Sequence, residues 1–133
     1  MSKPPRPTAP ELYGKVNNAL TALKAGRRDF GTLRHWPSDK CELGLDSTDE
    51  LWELLPKVLD EIKKTRPEKC YAGTKPPQRS YQEETALKDE ELWAFSWESS
   101  HFVKRMYLKF VLKKNRRDEW HYFHVNCHAD APK

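Results

Sequence analysis

Residues 105–114 read RMYLKFVLKK, and their alternation decides the fold. Met106, Leu108, Phe110 and Leu112 fall on one side of an extended chain. Arg105, Tyr107, Lys109 and Lys113 fall on the other, and only Val111 breaks the pattern. A period of two predicts a strand over about 103–113 with one face in a core. The other face carries a phenol and an ammonium two residues apart, which raises the question of what that face does.

The flanking segments extend the pattern. ELWAFSW, 91–97, predicts a strand with Trp93, Phe95 and Trp97 inward and Ala94 and Ser96 outward. KNRRDE, 114–119, is a polar turn. WHYFHVNCH, 120–128, predicts a third strand, and the spacing favours an antiparallel meander. Strict alternation puts Phe123, Val125 and Cys127 inward, and Trp120, Tyr122, His124, Asn126 and His128 outward. Pairing the last two strands then gathers Tyr107, Lys109, Tyr122, His124 and Asn126 on one open surface. Such a surface offers acid/base groups, donors for phosphate oxygens and rings for stacking unpaired bases. Tyrosines and lysines also occupy exposed strands with no role beyond packing or guarding an edge.

His121, His124, Cys127 and His128 crowd together as metal ligands would. Strand geometry separates them. His121 and His124 point to opposite faces, and His124 and His128 lie about 13 Å apart at about 3.3 Å per residue. Zinc needs ligands about 2.0–2.3 Å from one centre, so neither a metal site nor a cofactor is expected. P-loop, dinucleotide-binding, HExxH and GxSxG signatures are absent from the sequence.

Upstream, the signals are helical. Thr8 and Glu11 have capping-box spacing, and Leu12, Val16, Ala19, Leu20 and Leu23 form a stripe that Gly26 ends, predicting a helix over 9–25. Ser47 and Glu50 repeat the box ahead of Leu51, Trp52, Leu54, Leu55, Val58, Leu59 and Ile62. Pro56 interrupts this second helix, either kinking it or opening a new one. Residues 27–46 lack a sustained period and read as a loop with one short helical turn. Arg27, Arg28, Arg34 and His35 read there as solvated charges. The stretch YAGTKPPQRSYQEE, 71–84, is longer than most loops and so a functional candidate. The Pro-rich residues 1–8 read as a disordered tail, leaving 9–130 as a single domain.

A net charge of +4 in 133 residues permits contact with nucleic acid without demanding it. Three cysteines, odd in number and without a CxxC, fit reduced thiols in a cytoplasm. No secretory signal and no apolar run near the roughly 20 residues of a membrane span occur, so no membrane contact is expected. The fold class that follows is α+β, with two or three N-terminal helices on one face of a small antiparallel sheet.

Three collinear stretches resemble the MqsR family of bacterial toxin endoribonucleases, which have a RelE-like fold. They are LTALKAGRRDF, ELGLDSTDELWELL and the MYLKF strand with the aromatic and basic strand after it. The resemblance spans about residues 15–125. It implies metal-independent cleavage of mRNA, a protein antitoxin as partner and a cytoplasmic location. Carried over by position, it implies catalytic roles for Tyr107, Lys109 and His124. His124 would act as base or acid, Lys109 would stabilise the phosphorane, and Tyr107 would position the phosphate or donate a proton.

RNA would be held by Arg105, Lys113, Arg116, Arg117 and Tyr122, with Lys75 and Arg79 contributed by the long loop. Two positions depart from the family pattern. Ala72 stands where it has a lysine, and Ala94 where it has a glutamine. Either the long loop rebuilds the site through Lys75, Arg79 or Tyr81, or the activity differs. The alternative reading is a non-catalytic RNA-binding or protein-interaction module on the same fold.

Overall fold

The computed structural model describes residues 7–72 and 92–130. Helix α1 spans Ala9–Lys24, α2 Trp36–Leu43, α3 Thr48–Thr65 and α4 Pro67–Cys70. Strands β1 (Arg28–Phe30), β2 (Trp93–Ser99), β3 (Lys104–Lys114) and β4 (Trp120–Ala129) form one sheet in the order β1-β4-β3-β2. The architecture is α+β, with the helices N-terminal to most of the sheet. The pairs β2/β3 and β3/β4 are antiparallel, as the meander predicts, but β1 joins β4 in parallel and makes the sheet mixed.

Both predicted caps form. The Thr8 hydroxyl accepts from the Glu11 N–H at 3.3 Å, and the Ser47 hydroxyl from the Glu50 N–H at 3.3 Å. Gly26 follows α1 in the left-handed conformation, φ 79°. The apolar stripes of α1 and α3 meet the inner faces of β2, β3 and β4 in one core. Leu12, Val16, Leu55, Ile62, Phe95, Leu108 and Phe110 are each nearly inaccessible there. Helix α3 runs unbroken through Pro56.

Residues 27–46 contain more structure than their lack of period suggests. β1 has three residues, too few to show alternation. Its place is fixed by partners in β4: the Tyr122 N–H donates to the Arg27 carbonyl at 2.9 Å, and the Gly31 N–H to the His124 carbonyl at 2.8 Å. Arg27 is structural, since its Nε donates to the Trp120 carbonyl at 2.8 Å and its guanidinium pairs with Glu119. Helix α2 ends at Gly44, φ 72°. It continues the cover of β4 where β1 stops. Asp39 Oδ2 accepts from the Cys127 N–H at 2.9 Å, and Glu42 Oε2 from the Ala129 N–H at 3.1 Å. Two strand-edge donors are thus satisfied by carboxylates.

The main departure lies in β4. Lys109 pairs with Asn126 and Phe110 with His124, so Val125 is an extra residue, a β-bulge. One extra residue reverses the facing of everything on its N-terminal side. Tyr122 and His124 turn into the helix-covered core. Phe123 turns out, and Val125 packs with Val111 and Leu92 in a small second cluster. Beyond the bulge, Cys127 faces the core and Asn126 and His128 face the other way, as alternation from the C-terminal end predicts.

Glu61 of α3 fastens the β2–β3 turn. Its Oε1 accepts from Trp97 Nε1 at 3.2 Å and Ser99 Oγ at 2.6 Å, and its Oε2 from the N–H groups of Ser100 at 2.8 Å and His101 at 3.2 Å. Burial alone would raise its pKa, but these four bonds outweigh it and hold the carboxyl below its ordinary value. Glu61→Ala is expected to cost about 1–3 kcal/mol, because it strands several donors at once. Urea unfolding measures this, and a loss of under about 0.5 kcal/mol would show that water replaces the carboxylate freely.

Candidate nucleic-acid interface

The sheet face opposite α1 and α3 carries two adjacent rows of side chains. Ser96, Tyr107 and His128 form one across β2, β3 and β4, and Ala94, Lys109 and Asn126 form the next. The Tyr107 and His128 rings stack, with centroids 5.3 Å apart and planes at 27°. The Lys109 ammonium lies 5.7 Å from the Tyr107 ring centre. His128 Nδ1 is 2.8 Å from the carbonyl of Ala129. A carbonyl only accepts, so Nδ1 carries the proton and the neutral ring keeps Nε2 as its lone-pair nitrogen.

The surrounding elements tune these groups. Burial lowers the Lys109 pKa from its ordinary value. His35, at the N-terminus of α2, is lowered first by burial and then by Coulomb interaction with Arg34, Lys109 and His128. It therefore belongs to the same electrostatic neighbourhood. Asp39, which ties α2 to β4 beside His128, is raised to about 6 by burial against the opposing hydrogen bond from Cys127.

Two sequence candidates fall elsewhere. His124 does not lie across from Tyr107. It is 1% exposed, on the core side, with Nδ1 2.9 Å from the Tyr122 hydroxyl. Burial drives its pKa down to about 3, with a smaller push from His35, so it is neutral. Tyr122 is fully buried, and burial raises its phenol well above the ordinary value. Neither can touch RNA. The bulge at Val125 is the reason for both corrections.

The remaining candidates divide. Tyr107 and Lys109 lie on the face where alternation puts them and are half-buried, but that face is not open: Ala94, Ser96, Val111, Val125 and Asn126 on it are buried. Arg105 is engaged by two carboxylates, Glu98 at 3.3 Å and Asp130 at 3.6 Å. Lys113 reaches over the Phe123 ring, 5.8 Å from its centre. Arg116 and Arg117 are exposed in the β3–β4 turn, where Asn115 Oδ1 accepts from the N–H groups of Arg117 and Glu119. Lys75, Arg79 and Tyr81 lie outside the described residues.

His128 and His35 join the site without having been selected from the sequence. His128 sits on the outward side of the alternation, but nothing in a single strand ranks it above His124. His35 carries no signal at all, because α2 docks through contacts remote in sequence.

Among the described residues no three His, Cys, Asp or Glu side chains converge as a metal site, and no helix is long and apolar enough to cross a membrane. No family model, no curated protein and no solved structure matches the chain.

Proposed function

We propose that this face is the active surface of a metal-independent endoribonuclease acting on mRNA, a toxin held in check by a protein antitoxin. The observation that carries the reading is the grouping of Tyr107, Lys109 and a correctly tautomerised His128 within two adjacent rows of one sheet. His128 Nε2 takes the proton from a ribose 2′-hydroxyl. The freed oxygen attacks the adjacent phosphorus, forming a 2′,3′-cyclic phosphate and breaking the bond to the 5′ oxygen. The Tyr107 phenol protonates that leaving oxygen, and the Lys109 ammonium stabilises the charge on the phosphorane.

One observation favours the second reading, a non-catalytic RNA-binding or protein-interaction module. Ala94 stands opposite Lys109, and its carbonyl accepts from the Ala72 N–H at 2.9 Å. The two positions that depart from the toxin pattern are therefore neighbours, and neither supplies a polar side chain. Incubating the purified protein with RNA in excess EDTA decides between them. Cleavage that persists in EDTA and disappears in Lys109→Ala supports the nuclease, whereas binding without cleavage supports the module.

Replacing Arg116 and Arg117 together by alanine is expected to weaken RNA binding and flatten its salt dependence. Each lost phosphate contact on a single strand lowers the log–log slope by about 0.7. An unchanged slope would remove the turn from the binding surface.

A further inference from the structure

The same sheet face continues past the proposed cleavage centre, across the buried Val111 and Val125, to the part-exposed His121, Phe123 and Lys113. His121 and Phe123 of β4 stack at 4.6 Å with planes at 25°. The Lys113 ammonium is 5.8 Å from the Phe123 ring centre. Both rings are part-exposed. The arrangement repeats that of Tyr107, His128 and Lys109: an aromatic pair across β3 and β4 or along β4, with a lysine of β3 over one ring. Phe123 pairs with Val111, four residues along β3 from Tyr107, which places the second unit about 13 Å from the first at about 3.3 Å per residue.

Resting on the nuclease reading, we propose that His121, Phe123 and Lys113 form a stacking subsite for an unpaired RNA base, on the same strand that is cut at Tyr107 and His128. Stacking on protein rings requires a base splayed out of a helix, so the subsite selects single-stranded RNA. The lysines at 109 and 113 lie along the path a phosphate backbone would follow between the two units, and the exposed Arg116 and Arg117 continue it. Asp29 fits the same division of labour. Its carboxylate, 2.9 Å from His121 Nε2, fixes the imidazole beside Phe123. Its negative charge disfavours a phosphate there and leaves that place to a base.

The probe is a 2′-O-methyl RNA, which cannot be cut because its 2′ oxygen has no proton to lose. Affinities of a two-nucleotide and an eight-nucleotide single strand are compared by fluorescence anisotropy. In the wild type the longer strand should bind more tightly, and a duplex of the same sequence should show little of that gain. His121→Ala and Phe123→Ala should each remove about tenfold of it, the scale of one base stacked on one ring. Phe123 also packs on Val111, Val125 and Leu92, so Phe123→Tyr, which keeps the plane, should bind as the wild type does. An undiminished gain in both alanine variants, with wild-type cleavage intact, overturns the subsite alone, as does a duplex that binds as tightly as the single strand. Failure of the wild type either to bind or to cut any RNA overturns the reading beneath it.

Discussion

His128→Ala is expected to reduce RNA cleavage by about 10²–10⁴-fold, the contribution of a positioned general acid or base. Among the described residues the other imidazole on this face, His121, pairs with Lys113, six residues along β3 from Tyr107, too far to replace it. His124 is on the far side of the sheet, and the His35 pKa is lowered in a neighbourhood already crowded with positive charge. The part-exposed His128 ring donates to the carbonyl of the next residue, so its removal should shift stability by only about 0.5 kcal/mol. Tyr107→Phe keeps the stacked ring and removes only the hydroxyl, which separates proton donation from packing. It should also reduce cleavage while RNA affinity holds. The measurement is single-turnover cleavage beside thermal unfolding. Full cleavage by both variants would move the chemistry off this face.

The local part of this architecture was legible in the sequence. Thr8 and Ser47 announce α1 and α3 because a cap and its partner lie three residues apart. The inward sets of β2 and β3 follow from a period of two that only Val111 interrupts. In β4 the same rule fails, because both of its faces can be read as apolar. Phe123 and Val125 form one acceptable inner set, and Tyr122 with His124 forms the other. Taken alone, burying a histidine is the costlier choice, so alternation favours leaving His124 outside. The protein offsets that cost by joining His124 to the Tyr122 hydroxyl and keeping it neutral. Which residue is extra is decided by β3, where the step from Lys109 to Phe110 sets the register. His124 was therefore put on the wrong face by one residue of strand geometry. β1 and α2 were obscure for a related reason: Asp39 and Glu42 bind donors that are distant in sequence.

The same buried histidine sets the second large effect, on stability in acid. Above pH 6.5 His124 is neutral in both the folded and the unfolded chain, and it costs nothing electrostatically. Below that value the unfolded chain takes up a proton, whereas the folded one does not until about pH 3. Stability is therefore lost as pH falls, by about 1.4 kcal/mol per pH unit across this window. Asp39 acts in the opposite sense. Its folded pKa is raised to about 6, so the folded chain takes up that proton first and gains stability as pH falls from 6 towards the ordinary carboxylate value. The two slopes oppose each other between about pH 6 and 4, and the wild-type profile should be flat there to the extent that they balance.

His124→Gln isolates one of them. Glutamine does not titrate, and it can still meet the Tyr122 hydroxyl. Relative to the wild type, the variant should gain about 3 kcal/mol between pH 6 and pH 4, whatever its offset at neutral pH. Urea unfolding at pH 7, 6, 5 and 4 gives the difference directly. A difference that stays constant with pH would mean that the His124 imidazole is protonated in the folded protein, and so reached by water, contrary to its place in the core.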